Sequence, residues 1–165
     1  MSEALVAAQP LSSLPVPWRD PHTVTPAELS SFIQRIEQAC LDQPASADLR
    51  TMLGMAHAMN YDVYKSMDAL EAATSMEPDN FWAQLKYAEL HYRLRALARA
   101  EELTVTALNL AANGWQLSLA RKQLQEIRRL RRDSTRDITW NKPLTGPVLA
   151  LSAMMLVVTV IMLWK

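Results

Sequence analysis

The sequence predicts an all-α protein: about six helices stacked as antiparallel hairpins, followed by one C-terminal transmembrane helix. Three observations carry that expectation. Leu29, Phe32, Ile33 and Ile36, and later Leu117, Ala120, Leu124 and Ile127, fall at spacings of three and four, the period of a helix with one buried face. Ala39, Ala73 and Ala107 stand 34 residues apart twice over, and Pro44 and Pro78 keep the same interval. A fixed period of that size marks stacked supersecondary units. From Leu144 to Trp164 there is no charged residue.

Taken in order, residues 1–24 are expected to form a Pro-rich flexible arm. Pro10, Pro15, Pro17 and Pro21 fall there with little apolar periodicity. The helical domain covers residues 25–133. Thr25 can cap its first helix, Pro26 suits the first helical position, and Glu28 sits where a capping box places its acid. Ala39 and Cys40 extend the apolar face, and Pro44 closes the element. Ile36, Leu70 and Thr104 repeat at the same 34-residue interval. Asn113-Gly114 is a stop signal, after which Trp115 opens one more helix. Its apolar stripe is lined on the far side by Arg121, Lys122, Arg128, Arg129, Arg131 and Arg132, the polar cover that a terminal repeat needs. A basic juxtamembrane linker is expected over 134–143 and a transmembrane tail anchor over 144–164, roughly 30 Å of helix, flanked by Trp140 and Lys142 on one side and Trp164 and Lys165 on the other.

These positions resemble the tetratricopeptide repeat (TPR) family, in which each unit is a pair of antiparallel helices. With a unit starting at Ala47, the family's Leu-Gly pair falls on Leu53-Gly54, its late small residue on Ala73 and its closing proline on Pro78. With the next starting at Phe81, the small residues are Ala88, Ala100 and Ala107, and Ala112 replaces the closing proline. Pro26 to Asp42 matches the second helix of a preceding, incomplete unit. Arg50 stands where an early aromatic is usual, and Ser66 and Leu70 are looser fits. The resemblance spans residues 26–112 and implies a groove lined by the first helix of each unit. Carried over by register, that groove holds Thr51, Met55 and Met59 from one unit and Trp82, Leu85, Glu89, Tyr92 and Arg93 from the next. Methionines adapt to varied partners, and Trp, Tyr and Arg are typical hot-spot residues, so a peptide or helix of a partner protein is the expected ligand. The family's Lys/Asn clamp on a C-terminal carboxylate is not expected, because Thr51 and Met55 stand at its first positions. The bland alternative has the Met and Trp side chains filling gaps under the N-terminal helix or arm.

Other chemistry is absent from the sequence. His57 and His91, also 34 apart, are expected to pack rather than bind metal, and Cys40 to be a small buried hydrophobe. With only Gly54, Gly114 and Gly146, the chain has no phosphate-cradling loop, and it has no catalytic motif, so neither an enzyme nor a cofactor is expected. The lone cysteine fits a reducing compartment.

Eight basic residues between Arg121 and Lys142, against Glu126, Asp133 and Asp137, put the N-terminal body on the cytoplasmic side by the positive-inside rule. Arg128, Arg129, Arg131, Arg132 and Lys142 are the expected contacts to anionic headgroups, which argues against nucleic acid as the partner. Met1 to Pro10 has neither a basic start nor a long apolar core, so no signal peptide is expected. Twelve arginines to five lysines favour a bacterial inner membrane over an organelle outer membrane. The function expected is a membrane-anchored adaptor or scaffold. The alternative is an accessory subunit or assembly factor of a larger membrane complex or secretion apparatus, with Gly146, Ala150 and Ala153 permitting close helix packing.

Overall fold

The computed structural model describes residues 16–136 and 145–164, which form seven α-helices and two 3-10 turns. The chain divides into two compact units, Met1–Arg129 and Leu130–Lys165. In the first, α1 (Pro26–Asp42), α2 (Ala47–Met59), α3 (Val63–Met76), α4 (Phe81–Arg93) and α5 (Leu97–Asn109) pack each on the next, and α2 also packs on α4. That is the pattern of stacked hairpins: α2–α3 and α4–α5 are the two complete units, and α1 is a half unit before them. The helix α6 (Gly114–Arg136) follows.

Local chemistry sets each boundary. The Thr25 hydroxyl accepts the Glu28 N–H at 3.3 Å, while the Glu28 carboxylate turns away from a capping box to meet Arg19 at 2.6 Å. Ser46, Asp62 and Asn80 cap α2, α3 and α4 with side-chain oxygens. Asn80 also donates to Asp48 at 2.8 Å, tying the start of one hairpin to the start of the next. The Asn113 carboxamide accepts the Gln116 N–H at 2.8 Å, so it starts α6 as well as ending what precedes it.

Small residues let the helices approach. Ala47, Ala73 and Ala83 form one fully buried seam, and Ser66, Ala88, Ala100 and Ala107 are as deeply enclosed. A Cβ on Gly54 would lie 2.6 Å from Leu70 Cγ, so any larger residue forces Leu70 to shift. Ser66 and Leu70, loose fits to the family pattern, are among the most buried residues, and the Ser66 hydroxyl donates to the Gly54 carbonyl at 2.7 Å. Arg50 replaces an aromatic with a structural role of its own: its guanidinium donates to the Pro44 carbonyl at 3.1 Å, as the Gln84 amide does to Pro78 at 3.0 Å. On α6, Ala120, Leu124 and Ile127 are buried as expected, and Gln123 donates to the Leu85 carbonyl at 3.2 Å.

Two stretches differ from expectation. Residues 16–24 fall within the predicted flexible arm, yet they form the turns Val16–Trp18 and Pro21–Thr23, with Val16 and Pro17 buried. Helix α6 continues to Arg136, into the expected linker, and residues 137–144 lie outside the described residues.

In the second unit, α7 runs from Thr145 to Leu163 without a charged side chain. Leu149, Leu151, Met154, Met155, Leu156, Ile161 and Met162 are all exposed. Among the described residues no helix is long and apolar enough to cross a membrane, the side chains of Val157 and Val158 in the middle of α7 lying outside them. The expected span therefore rests on the sequence.

Candidate functional site

A cavity of about 190 Å³ opens between α2 and α4. Met55, Ala58 and Met59 of α2 and Leu70 of α3 give it an apolar side. Lys86, Glu89, Leu90 and Arg93 of α4 give it a mixed one, and Pro17, Trp18 and Arg19 of the N-terminal turn close it. Of the eight groove residues expected from register, Met55, Met59, Glu89 and Arg93 therefore meet at one place.

The other four do not line it. Thr51 is buried, and its hydroxyl donates to the Ala47 carbonyl of its own helix at 2.8 Å. Leu85 is core, packed with Phe81, Ala107 and Ala120. Tyr92 is half-buried outside the cavity. Trp82 stands beside it in an aromatic row, its ring centroid 4.6 Å from Trp18, 5.0 Å from Phe81 and 5.5 Å from Trp115. The division has a simple cause: a stripe one helix face wide is shared between the groove and the interior, and the interior takes Thr51 and Leu85. Lys86 was missed, although it lies four residues after Trp82 and three before Glu89 and so must share their face. Trp18 was missed because a Pro-rich stretch carries no periodic signal.

The α4 wall is an ion network. Glu89 accepts from Lys86 at 2.9 Å and from Arg93 at 2.6 Å. Burial pushes the Glu89 carboxyl up, but Lys86 and then Arg93 outweigh it and hold the group below its ordinary value of 4.5. Lys86 also lies over the Trp18 ring, 5.3 Å from its centroid. The two walls differ in kind: one is adaptable and greasy, the other charged and hydrogen-bonding.

His57 and His91 are absorbed by the hairpins. The His57 Nε2 is 3.9 Å from Glu37, and the His91 ring meets Tyr87 edge-on at 4.6 Å. Burial, the largest influence on each, lowers both pKa values below 6.5. Burial raises the Cys40 thiol, the opposite of nucleophile activation. Among the described residues no three His, Cys, Asp or Glu side chains converge on a point. Of the basic residues expected at a membrane surface, Arg128 is paired with Glu101 at 2.8 Å; Arg129, Arg131 and Arg132 are exposed, and Lys142 lies outside the described residues.

Repeating hairpins with small-residue seams and an inter-hairpin groove define a TPR-like helical domain. No protein-family model matches the sequence, and no curated protein matches it. Among solved structures the chain is similar to the first TPR of Spaghetti (RPAP3) bound to the HSP90 peptide SRMEEVD, with a TM-score of 0.58 and 15% identity over 64% of this chain and 82% of that one. It is similar also to the first TPR domain of the human RPAP3 protein, with a TM-score of 0.60 and 14% identity over 67% of this chain and 85% of that one. At such identities the likeness establishes a shared fold.

Proposed function

We propose that this chain is a membrane-anchored TPR-like adaptor, which holds a peptide or helical segment of a partner protein between α2 and α4 and so positions that protein at a membrane. The observation that carries it is the two-sided cavity: Met55 and Met59 offer adaptable apolar contact, while Lys86, Glu89 and Arg93 offer directed polar contact. The structural neighbour with a bound HSP90 peptide supports the same use of the fold. The ligand mode differs from a carboxylate clamp, since Thr51 and Met55 are buried apolar or self-bonded side chains.

The anchor is supported by the sequence: the stretch from Leu144 to Trp164 carries no charge and would give roughly 30 Å as a helix, and water is a poor solvent for the exposed Leu, Met, Val and Ile side chains of α7. Arg129, Arg131, Arg132 and Lys142 would meet anionic headgroups on the cytoplasmic side of a bacterial inner membrane or an organelle outer membrane. Concentrating two proteins on one surface raises their effective concentration without a new contact.

The test is purification of the N-terminally tagged chain in mild detergent, with identification of what copurifies. Met59→Lys and Arg93→Glu are expected to release the partner while leaving the helical circular dichroism intact. A partner retained by both variants sinks the groove, and release of the chain from membranes at alkaline pH sinks the anchor. A second reading, an accessory subunit of a membrane complex, is favoured by Gly146, Ala150 and Ala153 at spacings of four and three. Replacing α7 with an unrelated apolar helix leaves an adaptor working and breaks a subunit.

A further inference from the structure

The groove already holds a short peptide, and it is the protein's own. Val16 packs with Leu29, Phe32, Ile33 and Ala56 between α1 and α2. Pro17 is buried next to it, and the turn closes on itself through the Arg19 N–H and the Val16 carbonyl at 3.1 Å. Trp18 sits edge-on to Trp82 with the Lys86 ammonium over its face. The Arg19 guanidinium reaches Glu28 at 2.6 Å and the Thr23 carbonyl at 3.2 Å. With these residues in place the open volume is about 190 Å³, below the ~300–1,000 Å³ of typical ligand pockets. One or two side chains fit; a partner's segment does not.

The occupant also displays what the groove selects. A β-branched apolar side chain joins the α1–α2 core beside the groove, a proline follows without needing a donor, an aromatic ring meets Trp82 and Lys86, and a cation meets Glu28 on α1. We propose that the groove recognises an extended apolar–Pro–aromatic–Arg segment of its partner, and that Val16–Arg19 is a tethered copy of that motif which the partner displaces. This rests on the groove reading above and names its ligand chemistry. Only the residues between Arg19 and Pro26 separate the copy from α1. A tether so short gives an effective concentration on the order of millimolar, so a free peptide competes poorly until the copy is loosened.

The probe is a fluorescein-labelled peptide with the sequence of residues 14–20, Leu-Pro-Val-Pro-Trp-Arg-Asp, titrated by anisotropy against the full chain in detergent. The native chain is expected to half-saturate only at roughly millimolar peptide. Trp18→Ala with Arg19→Ala is expected to bind the peptide at least tenfold more tightly, and adding Trp82→Ala and Lys86→Ala to abolish that gain. A peptide with its Trp changed to Ala is expected not to bind. Arg19→Glu alone, which breaks the Glu28 pair without touching the core, is expected to give a severalfold gain and guards against misfolding of the double variant. No gain in either opened variant, or a gain that survives loss of Trp82 and Lys86, overturns the proposal. If the peptide fails while partner capture still depends on Met59 and Arg93, the motif is wrong and the groove stands. If neither depends on the groove, both fall.

Discussion

The two hairpins, α2–α3 and α4–α5, share one backbone plan and solve it with different side chains. Tyr61 and Arg95, 34 residues apart, both take a left-handed φ, 60° and 63°, and the residue after each donates to the carbonyl of His57 or His91 at 3.0 Å. Gly54 meets Leu70 in the first hairpin, and the register positions 34 residues on are Ala88 and Thr104, both fully buried, a small and a large residue replaced by two of middling size. Facing the groove, Met55 and Met59 correspond to Glu89 and Arg93. These seam positions thus stay buried and uncharged in both hairpins, whereas groove positions diverge in chemistry. Stacking constrains the first set and leaves the second free to specify a ligand.

That contrast can be broken at its tightest point. Gly54→Ala gains up to about 1 kcal/mol of helix propensity, but its Cβ meets the fully buried Leu70 and the Ser66 carbonyl, and overpacking of this kind costs about 1–3 kcal/mol. Urea denaturation is expected to show a net loss. The mirror change, Ala88→Gly, is expected to cost about 1 kcal/mol. Gly54→Ala combined with Leu70→Thr, the second hairpin's pair, is expected to cost less than the sum of the single changes.

The caps sharpen it further. Asp62 bonds the Lys65 N–H at 3.3 Å, whereas Ala96, its counterpart, has no side-chain cap. Asp62→Ala is expected to lose about 1 kcal/mol and Ala96→Asp to gain a similar or smaller amount, both read from the denaturation midpoint.

The smallest effect is in pH. Folding depresses the pKa of His57 and His91 below 6.5, chiefly by burial. Each thus contributes stability that is fully present above pH 6.5 and is lost as pH falls through the folded-state value. Stability is expected to decline below pH 6.5, and replacing both histidines by phenylalanine to flatten that decline. An unchanged slope would place the acid sensitivity elsewhere.

Much of this was legible from residue order. The 34-residue interval located both hairpins, Thr25 and Pro26 located the start of α1, and the small residues Ala73, Ala88, Ala100 and Ala107 marked the seams that are buried. Groove membership was legible only in part. Register put eight residues on one face, but a face is wider than a groove, and Thr51 and Leu85 went to the core. Val16–Arg19 had no periodicity to announce it, because a single turn buried at one point needs none.

Residue order by itself determined which stretches are helices and how they repeat, since each depends on side chains within a turn or a hairpin of one another. Only the tertiary structure decided what fills the space between α2 and α4. Val16, Pro17 and Trp18 gain their burial from residues on α1, α2 and α4 that are distant in the chain, and apolar burial depends on the surroundings supplied in space rather than on neighbours in sequence.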